Sequence, residues 1–410
     1  MKIKSFEVQG LFGQYDILEK PFNEDLNILS GRNGAGKTTV LKLMWYLISG
    51  NFDKAVAEIK FKSAKIVTDE YQLKVSIDLN NQENPLSSDI SFFSSGGVRV
   101  DEKFIEFNKK IKNQKVDWFL TQYMGSSFFF PTFRMIEGGF TTEKYDIKHD
   151  VLKEFYLKIN NNEGGFVEIE DTLKKISNSL SNIDHNFVTS ISANNIDNLL
   201  VKKYASIITE VSLNQTKLLD NLNKQVNLYD QVKEKEVFDY AESKERFPVE
   251  ETIKELQDEI LRLRNKLDSV RQPIKKVEDM VSKFFTNKDI VFGGKIKFLP
   301  KNKLVDIAKK DLDEEALSKY ALFTNSLSAG EKQILTFISY NTFYKDSVFF
   351  IDEPELSLHA DWQRILFRML KQQNPTNQFI ISTHSPFIYS KYPDKEICID
   401  PEQDRGNVED

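Results

Sequence analysis

At 410 residues, with 40% hydrophobic and 29% charged side chains, the chain is long enough to bury the cores of two or three structural units. Its 56 Lys and Arg against 62 Asp and Glu give a net charge of −6, which argues against a protein that coats nucleic acid through positive charge alone and leaves local basic faces open. The single cysteine, Cys398, excludes an internal disulfide framework and a cysteine-rich metal site, and predicts a reducing, cytoplasmic setting.

Met1–Phe6 alternates as a strand does and lacks the long apolar core of a signal sequence, so secretion is not expected. The longest apolar runs, such as Val348–Ile351, fall far short of the ~20 residues that span a bilayer, so no membrane is expected either. Ile3–Val8 and Tyr15–Phe22 predict two strands joined by a glycine-containing turn. Leu26–Ser30 predicts a third, buried strand, and helical spacing runs from Thr38 to Ile48. Between them stands Gly31-Arg32-Asn33-Gly34-Ala35-Gly36-Lys37-Thr38, the pattern G-x-x-x-x-G-K-[ST] in its strand–loop–helix context. Backbone N–H groups along Asn33, Gly34, Ala35, Gly36, Lys37, Thr38 and Thr39 would wrap nucleotide phosphates, with Lys37 on the terminal ones and the Thr38 hydroxyl on magnesium. Phe12 or Tyr15 could stack on adenine, with a core role the alternative for Phe12.

Ala57–Leu79 alternates again and predicts antiparallel strands, whereas the polar segment Asn80–Gly97 predicts a loop. Lys109, Lys110, Lys112 and Lys115, beside Phe104, Phe107 and Trp118, make a basic cluster that is either a solvated face or a nucleic-acid contact. Gln122 is a candidate magnesium ligand by position only. Phe128–Arg134 predicts a buried strand ending at an arginine, which contacts phosphate, a partner or a structural acid.

From Val151 to Lys288 the character changes: glycine is scarce after Gly165 and apolar residues take helical spacing. Val249, Ile253, Leu256, Ile260, Leu263, Leu267, Val270, Ile274, Val277 and Val281 form a heptad seam that calls for a partner helix. As one helix it would reach ~50 Å, and Pro273 predicts a kink or an early end. A helix from about Leu199 through Leu218, Leu222 and Val226 could return alongside it as an arm, or the two could pack as a bundle on the core. Gly293-Gly294 returns the chain to strand pattern at Lys295–Leu299 and Lys303–Ile307. The expected organisation is a first lobe over 1–150, a helical or coiled-coil insertion over 151–289 and a second lobe over 290–410.

Ser347–Ile351 reads as a buried parallel strand ending in Asp352-Glu353. Asp352 is placed to hold magnesium, and Glu353 to polarise the attacking water as in-line phosphoryl transfer requires.

Leu327-Ser328-Ala329-Gly330-Glu331-Lys332-Gln333 resembles the signature sequence of ATP-binding-cassette ATPases, and Ile351-Asp352-Glu353-Pro354-Glu355 resembles their second nucleotide motif. Leu356-Ser357-Leu358-His359 stands where that superfamily has its D-loop, and His384 matches its switch histidine. The resemblance implies an α/β P-loop ATPase head, a mixed-sheet lobe plus a signature lobe, with an inserted helical domain. It implies ATP and Mg2+ as cofactors and a homodimer, or a higher oligomer, that sandwiches ATP between heads. Ser328, Gly330 and Glu331 would then face the γ-phosphate held by the other copy, and His384 would sense that phosphate.

The insertion resembles the SMC, RecF and OLD group (AAA_15/AAA_21-like), and Asp352–His359 followed by Trp362-Gln363 is most similar to OLD-like ATPases, many of which serve anti-phage defence. OLD and Gabija-type proteins carry a C-terminal Toprim nuclease, whereas this sequence ends at Asp410, soon after the switch histidine. It therefore resembles the ATPase subunits of PARIS or Septu systems, which implies a separate Toprim- or HNH-type effector and a phage trigger protein. Arg134 and Glu137-Gly138-Gly139 resemble a segment of the same group. The expected function is an ATP-hydrolysing sensor and scaffold of a defence complex. The alternatives are a RecF- or SMC-like DNA-repair or DNA-end-binding ATPase, and an assembly subunit glued by ATP with incidental turnover.

Overall fold

The computed structural model describes residues 1–13, 18–77, 88–94, 125–132, 135–136, 169–239, 249–302 and 320–399. Tyr15, the Lys109–Lys115 cluster, Gln122, Arg134, Glu137–Gly139 and the predicted strand Lys303–Ile307 lie outside the described residues.

The amino-terminal strands form as β1 (Ile3–Gln9), β2 (Leu18–Pro21) and β3 (Leu26–Ser30), followed by α1 (Lys37–Ile48) and α2 (Phe52–Glu58). The alternating stretch becomes β4 (Ser63–Thr68) and β5 (Tyr71–Ile77), with Tyr71, Leu73 and Val75 buried on one face. One expectation is corrected: Ser88–Ser94, inside the segment predicted as a loop, is a strand, β6, antiparallel to β5 from Tyr71↔Ser94 to Ile77↔Ser88. Its serines dilute the period-two signal of Ile90 and Phe92, and an adjacent strand edge supplies the hydrogen bonds that its own composition does not advertise. These strands make an antiparallel sheet in the order β2-β1-β4-β5-β6.

The second sheet positions the site. It comprises β3, β7 (Ser126–Phe130), β9 (His185–Phe187), β13 (Ser347–Asp352), β14 (Gln378–Ser382) and β15 (Glu396–Cys398), in the order β15-β3-β14-β13-β7-β9, with parallel pairings throughout. β3, β13 and β14 are buried along their whole length, which explains their unbroken apolar runs. β7 stops at Phe130 rather than at Arg134 as predicted, because Pro131 has no N–H to extend the ladder. Two-residue strands β8 (Met135–Ile136) and β10 (Ser190–Ile191) pair in parallel. α1 lies on this sheet, with the Trp45 ring 5.4 Å from Phe129 and 5.2 Å from Phe187, while Phe349 stacks 5.1 Å from Phe128.

α3 (Ile169–Leu180) precedes β9, and α4 (Ala193–Asp239) and α5 (Val249–Phe284) are the long helices of the middle region. Of the kink or early end expected at Pro273, the early end does not occur: α5 continues to Phe284, its last turns held by buried Val277, Met280, Val281 and Phe284. The seam is buried at that end, with Val277 and Val281 fully covered, and opens outward to Ile260, 48% exposed. Tyr204, Ile207 and Ile208 of α4 and Ile274 and Lys275 of α5 line a common cleft of about 1200 Å3. β11 (Lys288–Val291) and β12 (Lys297–Pro300) then form a hairpin around Gly293-Gly294. The chain divides into two compact units, Met1–Asn195 with Asn325–Asp410, and Ile196–Thr324. Among the described residues no helix is long and apolar enough to cross a membrane.

α6 (Ala329–Phe343) and α7 (Ala360–Gln373) flank β13, and the short α8 (Pro386–Tyr389) follows β14. At the amino edge of the parallel sheet a buried amide network ties these helices to the strands. Asn341 Nδ2 donates to Leu370 O (2.9 Å) and Gln373 Oε1 (2.7 Å). Asn377 Nδ2 donates to Asn341 Oδ1 (2.9 Å), and Asn377 Oδ1 accepts from Ser347 N (3.0 Å). Such networks fix position because each member left unpaired would be costly.

Candidate active site

The carboxyl ends of β3, β14, β13 and β7 face one edge, where open parallel sheets bind ligands. β3 delivers the glycine loop there. Gly34 and Gly36 take φ of 86° and 89°, left-handed values that a side chain would strain, and Gly36 caps α1. Lys37 is buried within the loop, its Nζ donating to Gly31 O (2.8 Å) and Arg32 O (2.9 Å). Ala35 is buried and its N–H reaches Arg32 O, while Asn33 and Thr38 are exposed and Thr39 half-buried at the helix start. Phe12, at φ 54° and 42% exposed, lies over the loop: a Cβ on Gly36 would sit 2.8 Å from its ring.

β13 ends in Asp352, which is fully buried. Its Oδ1 accepts from the Thr38 hydroxyl at 2.9 Å and from the Ser382 hydroxyl, and its Oδ2 accepts from the Thr132 hydroxyl. The predicted pair Thr38 and Asp352 is thus brought together by a direct bond across a sequence separation of 314. Thr132 and Ser382 are site residues that the sequence reading missed. Ser382 stands two residues before His384, while Thr132 becomes legible only once β7 is known to lie beside β13. The donor set is a carboxylate and hydroxyls, hard oxygens of the kind magnesium accepts, which fits the ion that a nucleotide would bring.

Glu353 takes φ 49°, and its N–H donates to Ser382 O at 2.9 Å, turning the chain sharply after β13. His384 is exposed, and its backbone N–H donates to Glu355 Oε1 at 2.8 Å. The signature residues lie against the loop that follows β13. Ser328 caps α6 in a capping box: its Oγ accepts from Glu331 N (3.3 Å) and its own N–H reaches Glu331 Oε2 (2.9 Å). Gly330 is buried with room for no side chain, since a Cβ there would stand 2.4 Å from Ser357 O. Gln333 Nε2 donates to Pro354 O at 2.8 Å, binding the same helix to the same loop.

A stretch of 92 residues is 32% identical to a retron Vc95 probable ATPase from Vibrio cholerae serotype O1 biovar El Tor, an alignment that spans 19% of this chain and 18% of that protein. Among solved structures, the Smc head domain of Pyrococcus furiosus with an extended coiled coil, bound to the C-terminal domain of ScpA, aligns over 95% of this chain and 91% of its own at 12% identity and a TM-score of 0.39. The SMC head domain from Thermotoga maritima aligns over 95% of this chain and 92% of its own at 10% identity and a TM-score of 0.39. The AAA ATPase domain family, AAA_15, matches residues 1–389, and the chain belongs to that family.

Proposed function

We propose that the chain binds magnesium–ATP on the glycine loop and hydrolyses it in a site completed by a second copy, and that the nucleotide state governs a separate effector in antiviral defence. The observation that carries the catalytic part is the buried Asp352 carboxylate gathering Thr38, Thr132 and Ser382 beside the glycine loop. Lys37 and the loop N–H groups bind the phosphates, and Phe12 stacks on the base. Thr38 and Asp352 hold the magnesium, whose charge offsets that of the transferring phosphoryl group. Glu353 takes the proton of the attacking water and His384 contacts the γ-phosphate. The capped start of α6 offers its positive end to the γ-phosphate bound by the partner copy.

The defence part is supported by the stretch shared with the retron ATPase and by the wording of the Asp352–His359 motif. In the test, purified protein is assayed for magnesium-dependent ATP hydrolysis and for ATP-dependent dimerisation by light scattering. Glu353→Gln is expected to bind ATP, accumulate as dimer and lose turnover, and Lys37→Ala to lose binding. A Glu353→Gln protein that turns over ATP at the parental rate defeats the catalytic assignment. Phage plating unaffected by Lys37→Ala, with no protein co-purifying from the native host, defeats the defence assignment.

A further inference from the structure

The loop leaving β13 follows a path that its residues do not choose for themselves. Glu353 and Ser357, neither of them glycine, take φ of 49° and 64°, conformations that persist only where neighbours enforce them. Some of the enforcing bonds come from β14 and α6: Glu353 N–H to Ser382 O and Gln333 Nε2 to Pro354 O. Two further side chains join this loop to the turn that carries His384. Glu355 Oε1 accepts from His384 N–H at 2.8 Å. Gln363 Nε2 donates to Leu358 O at 2.8 Å, while its Oε1 accepts from the Ser385 hydroxyl at 2.6 Å.

Glu355 is an odd choice for a purely structural tie. A single backbone N–H needs one neutral acceptor, yet the residue is a half-buried acid whose second oxygen, Oε2, is buried with no partner among the described residues. An orphaned carboxylate oxygen weakens the fold, and groups of this kind are kept where function needs them. What the carboxylate adds is a stronger, shorter hold on the amide than a neutral acceptor provides.

We propose that Glu355 is a positioning residue for His384, fixing the main chain of the 383–385 turn so that the imidazole is presented to the nucleotide in one place, with Gln363 locking the same turn through Ser385. This rests on the reading of His384 as the residue that meets the γ-phosphate. The sensor turn, the loop after β13 and the start of α6 then respond to nucleotide as one connected piece.

The test combines two readouts on full-length protein. Hydrogen exchange without nucleotide follows the amides of residues 383–385, and steady-state ATP hydrolysis gives kcat and KM. Glu355→Ala is expected to raise exchange in that segment about 10-fold and to lower kcat about 10-fold with KM for ATP within about 3-fold. Glu355→Gln, which keeps an acceptor oxygen but not the charge, should give exchange and kcat between those of Glu355→Ala and the parent. Added to His384→Ala, Glu355→Ala should cause no further loss, since Glu355 acts through His384. Unchanged exchange in Glu355→Ala, or losses that multiply in the double variant, overturn the proposal. A parental protein without ATPase activity would overturn the functional reading instead, while the exchange arm still decides whether Glu355 holds the turn.

Discussion

Replacing Gly330 with alanine places a methyl carbon 2.4 Å from the carbonyl oxygen of Ser357 and 3.4 Å from the Trp362 ring. A carbon and a carbonyl oxygen rest at about 3.3 Å or more, so one of them must move by about 1 Å. The carbonyl has little freedom: Ser357 already sits at φ 64°, and the loop on either side is tied by Gln333 at Pro354 O and Gln363 at Leu358 O. Overpacking at such sites costs about 1–3 kcal/mol, and the pinned carbonyl points to the upper half of that range. At about 2–4 °C per kcal/mol, the melting temperature should fall by roughly 4–12 °C. The assay is thermal denaturation without nucleotide, which isolates the steric effect from any phosphate contact. Gly34→Ala is the matched control, because its Cβ would meet nothing within 4 Å and only its φ of 86° is strained. That strain costs about 1–2 kcal/mol. A Gly330→Ala protein that melts within a degree of the parent would refute the packing argument and leave the glycine to phosphate contact alone.

Thr132→Val removes one of the hydroxyls on Asp352, a bond to a charged group of about 1.5–3 kcal/mol. It should lower turnover about 10-fold or more and raise the magnesium requirement, with Thr132→Ser near parental in a magnesium titration of activity. Asn341→Leu removes the amide donor to Gln373 Oε1 and Leu370 O and one acceptor of Asn377 Nδ2, which keeps Tyr344 O, and should cost about 1–3 kcal/mol by urea denaturation. His185 is fully buried, 2.8 Å from the Ser127 hydroxyl, and burial pushes its pKa down to about 3. The unfolded chain takes up that proton below about pH 6.5, so stability present above pH 6.5 is lost as the pH falls, by about 2 kcal/mol at pH 5. His185→Gln should flatten the stability profile between pH 5 and 6.5.

The glycine loop, Asp352 and the buried strands β3 and β13 were legible because their chemistry is written in consecutive residues. The motif Gly31–Thr38 follows Leu26–Ser30 directly, and Asp352 follows Ser347–Ile351. Thr132 was not legible, since its role comes from β7 lying in register with β13. The tie between Glu355 and His384 was hidden for the same reason: it joins residues 29 apart through a loop whose backbone no propensity favours. Ser328 and Glu331 carry a capping-box spacing that the reading for phosphate contact passed over. Of the two outcomes expected at Pro273, a kink or an early end, the early end does not occur because buried Val277 and Val281 hold the helix beyond it, a tertiary term that outweighs one missing backbone donor.

The order of strands in the parallel sheet also sets when this protein can first work. β3 pairs with β14 through Asn27↔Ile380, partners separated by roughly 350 residues of chain. At about 5–20 residues per second on the ribosome, Leu26–Ser30 waits roughly 20–70 s for the neighbour that covers it. Throughout that interval the nascent glycine loop has neither Asp352 nor Ser382 beside it, and an apolar strand edge stands open to chaperones or to misassociation. A truncated or stalled product therefore carries the loop without the carboxylate. Nucleotide hydrolysis becomes possible only after nearly the whole described chain has been made.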